Sequence, residues 1–144
     1  MPEIYRHTQL GIAVLVPVEL VALVALYFFI STHEVSALIL FVAFAVVSCL
    51  FFALTVIGTD TTLEVRFGAG LIRKRFKIKD IISVQPYRTT FWHGWGIHRS
   101  GDGLIMNVSG YDAVQLTMID GNKYIIGTDD RTRLLNFLQE YRRP

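Results

Sequence analysis

Between Arg6 and Arg66 the chain contains no lysine and no arginine, and its single cysteine, Cys49, lies inside that interval. One cysteine excludes a disulfide framework and any metal site built on thiolates. Set among apolar neighbours, it reads as a small filler. Paired carboxylates, a nucleophile with a base beside it and a phosphate-cradling glycine loop are also missing, so no catalytic set can be named. His93 and His98 are five residues apart, on opposite faces if the segment is extended, and no cysteine or converging carboxylate accompanies them, which argues against a metal centre. The formal net charge of +2 is too modest to suggest nucleic acid as a partner. Enzyme activity, a cofactor and nucleic acid binding are therefore not expected.

The interval without cations is apolar instead. Hydrophobic residues make up 52% of the chain and charged residues 18%, too apolar for an ordinary soluble domain. The excess is concentrated in residues 11–57. Residues 11–30 would reach roughly 30 Å as a helix, one hydrocarbon thickness. Residues 35–57 carry no charge and are long enough to span with some tilt. The first run is longer than the core of a signal peptide, and no small-x-small cleavage pattern follows Ile30. Two transmembrane helices are expected, joined by Ser31-Thr32-His33-Glu34. That loop lacks lysine and arginine, whereas Arg66, Arg73, Lys74, Arg75, Lys77 and Lys79 follow the second run. The positive-inside rule then places both termini in the cytoplasm, in a multi-pass protein of the inner membrane.

Two residues stand out in the first helix. Pro17 removes a backbone hydrogen bond. Glu19 puts an ionisable group near mid-membrane, which by default is a functional-site hypothesis. Either it serves as a proton or cation site or an oligomer contact, or it is held protonated against Ser48, Thr55 or a carbonyl freed near Pro17.

From Thr59 the hydrophobic period becomes two. Leu63, Val65 and Phe67 alternate with Thr62, Glu64 and Arg66; Gly68-Ala69-Gly70 turns the chain; Ile72, Phe76 and Ile78 then alternate with Arg73, Arg75 and Lys77. Lys74 breaks the pattern, which calls for a bulge or a place at the rim. Further short strands are expected at residues 80–86, 104–108, 113–118 and 123–127, with Asp120-Gly121 as a hairpin turn. Asn107-Val108-Ser109 matches a glycosylation acceptor but reads better as a strand end turning at Gly110. A closing helix follows Thr128-Asp129-Asp130, which supplies an N-cap; its apolar stripe is Leu134, Phe137, Leu138 and Tyr141, and Arg142-Arg143 suit its negative end. Six or seven short strands and one helix describe a small barrel or sandwich plugged by a helix.

This order, with Gly94-Trp95-Gly96-Ile97, Asn107-Val108-Ser109-Gly110, Asp120-Gly121 and Ile126-Gly127-Thr128-Asp129-Asp130, resembles the bacterial pleckstrin-homology-like (PH-like) domains tethered to membranes. The resemblance covers residues 59–143 and implies a seven-stranded, strongly bent barrel closed by the C-terminal helix; it implies no activity. Eukaryotic relatives bind phosphoinositides through basic residues around the first hairpin. Arg66, Arg73, Lys74 and Arg75 stand at comparable positions here, but the Gly68-Ala69-Gly70 turn has none, which leaves generic attraction to anionic lipid.

Arg73, Arg75, Lys77 and Lys79 share one face of a regular strand. Near an anionic leaflet each is worth about 1 kcal/mol; alternatively they keep an edge strand from pairing with another chain. In Phe91-Trp92-His93-Gly94-Trp95-Gly96-Ile97-His98, Trp95 and Ile97 are expected on the core face and Trp92 and His98 opposite, with Trp92 either an interface anchor or barrel packing. The expectation is an α+β membrane protein: a cytoplasmic head over residues 1–10, a transmembrane hairpin over 11–57 with helices at 11–30 and 35–57, and a cytoplasmic PH-like barrel over 59–144. It would bind or scaffold, contacting anionic lipid, a protein partner or a second copy. The alternative is a subunit of a larger membrane assembly, with Glu19 as an intramembrane contact.

Overall fold

The computed structural model describes residues 3–142; Arg143, expected beside Arg142 at the end of the last helix, lies outside them. Most of the expected polar head is a strand, β1 (Tyr5–Leu10). Two apolar helices follow, α1 (Ile12–Thr32) and α2 (Val35–Phe51), and the chain reverses between them at His33, which takes the left-handed conformation at φ 54°. Of the two, α1 alone is both long and apolar enough to cross a membrane by length and composition; α2 has 17 residues. The second run thus stops being helical six residues before Ile57. Ala53–Gly58 is instead a strand, β2. It pairs with β1 on one side, from Tyr5↔Gly58 to Leu10↔Ala53, and with β3 (Thr62–Phe67) on the other. A strand buried on both faces is apolar throughout, and by hydrophobicity alone it continues a helix without a break.

The helix pair is therefore an insertion between two paired strands. The ladder closes at its foot, where the Gly11 N–H donates to the Phe52 carbonyl at 2.7 Å. A side chain at Gly11 would run into the carbonyl oxygens of Phe51 and Phe52, so glycine lets strand become helix there. The helices approach each other over small residues, Ala22 and Ala25 of α1 and Ser48 of α2, which are buried. The outward residues Val16, Leu20, Leu23, Tyr27 and Ile30 are each more than half exposed.

The first sheet is completed by β4 (Ile72–Lys77), in the order β1-β2-β3-β4. A single 3-10 turn (Ile78–Asp80) leads to β5 (Ile81–Arg88), β6 (Gly96–Ser100), β7 (Gly103–Asn107), β8 (Asp112–Met118) and β9 (Lys123–Gly127), which form a second sheet in the order β5-β8-β9-β7-β6. Pro86 is accommodated because β5 is an edge. The expected six or seven strands after Thr59 are seven, β3 to β9, and β1 and β2 bring the total to nine among the described residues; the two sheets do not close into a barrel.

One end of the second sheet meets β1, where Gln9 bonds to Ser109; the other meets β4, where Lys74 lies over Tyr124. Leu54, Val56, Leu63, Val65 and Phe67 from the first sheet, with Met106, Val114, Leu116 and Ile126 from the second, enclose one core. It is closed by Leu134, Phe137 and Leu138 of α3 (Arg131–Tyr141), the apolar stripe expected for that helix. Asp130 stands at the N-cap without capping by its side chain; its carboxylate turns to Arg133 and His7 instead, and the Thr128 hydroxyl accepts the Asp130 N–H at 3.0 Å.

Candidate functional site: a basic sheet face and an aromatic knuckle beside the helix base

The turn between β3 and β4 touches the end of α2. The Gly68 N–H donates to the Ala53 carbonyl at 2.8 Å. Gly68 has φ +51°, and a Cβ there would come within 2.6 Å of the Leu50 carbonyl oxygen. A left-handed turn pressed onto a helix end leaves room for glycine alone. Leu71, in the same turn, is 79% exposed.

From that turn β4 runs away from the helices. Arg73, Arg75 and Lys77 are exposed at alternate positions of β4, whereas Lys79 lies beyond the strand, exposed on the 3-10 turn, so the regular strand expected to carry all four ends at Lys77. At about 3.3 Å per residue, Lys77 stands roughly 13 Å farther from the helix base than Arg73. The stripe is also unequal in charge. Glu64, read from the alternation as solvent-facing, is buried, because Arg66 and Arg75 fold over it. Burial pushes its carboxyl upward, but the hydrogen bonds from Arg66 and Arg75 outweigh burial and hold it below the usual range. Arg75 is thus engaged, while Arg73, Lys77 and Lys79 have no carboxylate partner among the described residues. Lys74 resolves to the rim: the β3–β4 register is unbroken, and its ammonium lies 4.6 Å from the Tyr124 ring centroid.

The aromatic stretch departs from the strand expected of it. Phe91–His93 is one 3-10 turn held by a reciprocal capping box between Thr90 and His93. The turn shifts the phase of β6, so Ile97 is exposed and His98 turns inward, the reverse of the expected faces. Burial, with His93 nearby, pushes the His98 imidazole below its ordinary value. Trp92 is 92% exposed and Phe91 64%. Trp95 donates its indole N–H to the Gly110 carbonyl at 3.4 Å and lies against Phe91 and Tyr111. The same turn is anchored to β1, where Gln9 donates to the Ser109 carbonyl at 2.9 Å. Asn107 is fully buried and braces the turn through Gly110 and Ser109; it is the strand end the sequence suggested. Through Trp95 and the 109–110 turn, the knuckle of Phe91, Trp92 and Trp95 is linked to Gln9 of β1, the strand that leads into α1.

Glu19 has none of the partners expected for an accommodated carboxyl. It is exposed on α1 and, among the described residues, makes no hydrogen bond or ion pair; Ser48 is buried with its hydroxyl unbonded among them, and Thr55 belongs to β2. Sequence reasoning missed Glu64, Gln9, Leu71 and Phe91. Only the helix-base geometry singles them out. Comparison with protein families, with curated proteins and with solved structures finds no match for this chain.

Proposed function

We propose that the chain is a non-enzymatic binding module of the PH-like kind, held on the cytoplasmic face of the inner membrane by its helix pair, where it contacts anionic lipid headgroups or a protein partner. The observation that carries this reading is the insertion of two outwardly apolar helices between paired strands. Because β1 pairs with β2, the chain enters α1 and leaves α2 on the same side; if α1 crosses the bilayer, α2 has to return. Seventeen residues of α2 rise about 25 Å, at the short end of what spans a hydrocarbon core. The absence of Lys and Arg from the His33-Glu34 turn supports a cytoplasmic domain. Leu71, Phe91 and Trp92 would sit at headgroup level, and Arg66 and Arg73, opposite each other at the near end of the sheet, would meet anionic phosphates first.

Cysteine accessibility tests the topology. In a Cys49→Ala background, Glu34→Cys should react with an impermeant maleimide on intact spheroplasts, and Lys79→Cys only after permeabilisation. Labelling of both from the same side would overturn the two-span reading. A second reading, a subunit contacting a neighbour through Glu19, is favoured by the exposure of that carboxyl away from α2. It requires Glu19→Gln to change the oligomer mass or partner recovery in mild detergent; an unchanged complex would exclude it.

A further inference from the structure

Where the second sheet reaches the β4 edge, three cations and one carboxylate line a cleft of about 380 Å³, whose walls include Lys74, Arg99, Asp102, Asn122, Lys123 and Tyr124. We propose that this cleft binds a phosphomonoester. Its volume falls within the range of about 300–1,000 Å³ common for small-molecule sites, so a phosphate with a small organic group fits better than a bare ion.

The backbone builds the cleft. Gly103 has φ +135°, and a Cβ there would lie 2.8 Å from the carbonyl carbon of Lys123, so glycine lets the 101–103 turn rest directly on the start of β9. Arg99 and Lys123 of the second sheet and Lys74 of the first all line the cleft. The turn is stitched in place: Ser100 Oγ donates to the Gly103 carbonyl and accepts the Asp102 N–H, both at 3.2 Å, and Gln115 donates to the Asp102 carbonyl at 3.0 Å.

Charge points to an anion. None of Lys74, Arg99 and Lys123 has an ion-pair partner among the described residues. Asp102, which also lines the cleft, accepts from the Tyr87 hydroxyl at 2.8 Å; Asp120 accepts both N–H donors of Asn122 at 2.9 and 2.7 Å and is held low by them, with a smaller contribution from Lys74. Lys74 lines the cleft with its ammonium held 4.6 Å from the Tyr124 ring centroid. Three cations share the cleft with one carboxylate, Asp102, so its lining carries a net positive charge that a dianion offsets. Arginine offers a planar fork matched to phosphate oxygens, and the lysines add point charges. Tyr124 and Leu104 supply the surface for the organic part. None of these residues belongs to the Arg73–Lys79 stripe, and the site does not depend on the chain's crossing a membrane.

The probe is sn-glycerol 3-phosphate, titrated calorimetrically into the full chain in zwitterionic detergent. One molecule should bind per chain. Arg99→Gln with Lys123→Gln should weaken binding about tenfold or more, whereas Arg73→Gln with Lys77→Gln should leave it nearly unchanged. Thermal melts without the probe establish that each variant is folded, and Lys74→Gln alone, from the first sheet, should also weaken binding. The source of the phosphate is read in phosphatidylcholine nanodiscs with and without phosphatidic acid. Loss of probe binding only in the phosphatidic acid discs assigns the cleft to a lipid headgroup; equal binding in both assigns it to a soluble phosphomonoester. Absence of binding at millimolar probe, or equal weakening by the two double variants, overturns the proposal.

Discussion

Glu64 lies beneath two guanidiniums on the outward face of the first sheet, and its effect on stability has a definite sign. Its folded-state carboxyl is held low by Arg66 and Arg75 despite burial. The stabilisation is therefore complete above the ordinary carboxyl range and fades as pH falls through the lowered folded value. Glu64→Gln should cost about 1.5–3 kcal/mol at neutral pH, the scale of charge-assisted hydrogen bonds, and should flatten the acid limb of thermal melts recorded from pH 7 downward. Melts that coincide with those of the parent at pH 7 would show that the triad contributes nothing. Gly68 makes a second residue-scale test. Its positive φ and its contact with the α2 carbonyls predict that Gly68→Ala lowers stability by about 1–3 kcal/mol, measured by the same melts. Neither position was legible beforehand. Alternation placed Glu64 outside, correctly for its strand face, but could not say that two arginines from neighbouring positions would cover it; Gly68 was seen as a turn, with no sign of the helix behind it.

Among the elements, those with one buried face were legible and those with unusual surroundings were not. The stripe of α3 and the alternation of β3 and β4 came through because core and solvent impose a clean period on them. β2 was hidden, since burial of both its faces made it as apolar as the helix before it. β1 was hidden by shortness and polarity, with Arg6, His7, Thr8 and Gln9 serving ion pairs and hydrogen bonds rather than the core. β6 changed phase because of a 3-10 turn set by Thr90 and His93. That turn also yields an element-scale prediction. In a Trp95→Phe chain reconstituted in bilayers, Trp92 should be quenched by lipids brominated near the headgroup more strongly than by lipids brominated near the chain ends. Fluorescence unaffected by either would place the knuckle in water.

For the whole molecule, the division after residue 58 that the sequence suggested does not separate two folding units. A fragment of residues 59–144 lacks two of the four strands in the first sheet and with them Tyr5, Leu54 and Val56 of the core. It should be unfolded or aggregated by circular dichroism and size exclusion. Replacing residues 12–51 by a short Asn-Gly turn that joins Gly11 to Phe52 should instead give a folded, soluble domain, because those two residues already close the ladder. A well-folded 59–144 fragment would contradict the architecture.

The insertion also orders the life of the chain on the ribosome. β1 is synthesised before both helices, and the strand that pairs with it emerges only after them; on the proposed two-span topology the sheet cannot assemble until α2 has been inserted. Under that topology maturation is sequential: a nascent chain whose helices are misplaced would keep β1 across the bilayer from β2. Sheet assembly then acts as a checkpoint on insertion, and failed molecules present an open β-sheet edge that quality-control proteases can recognise.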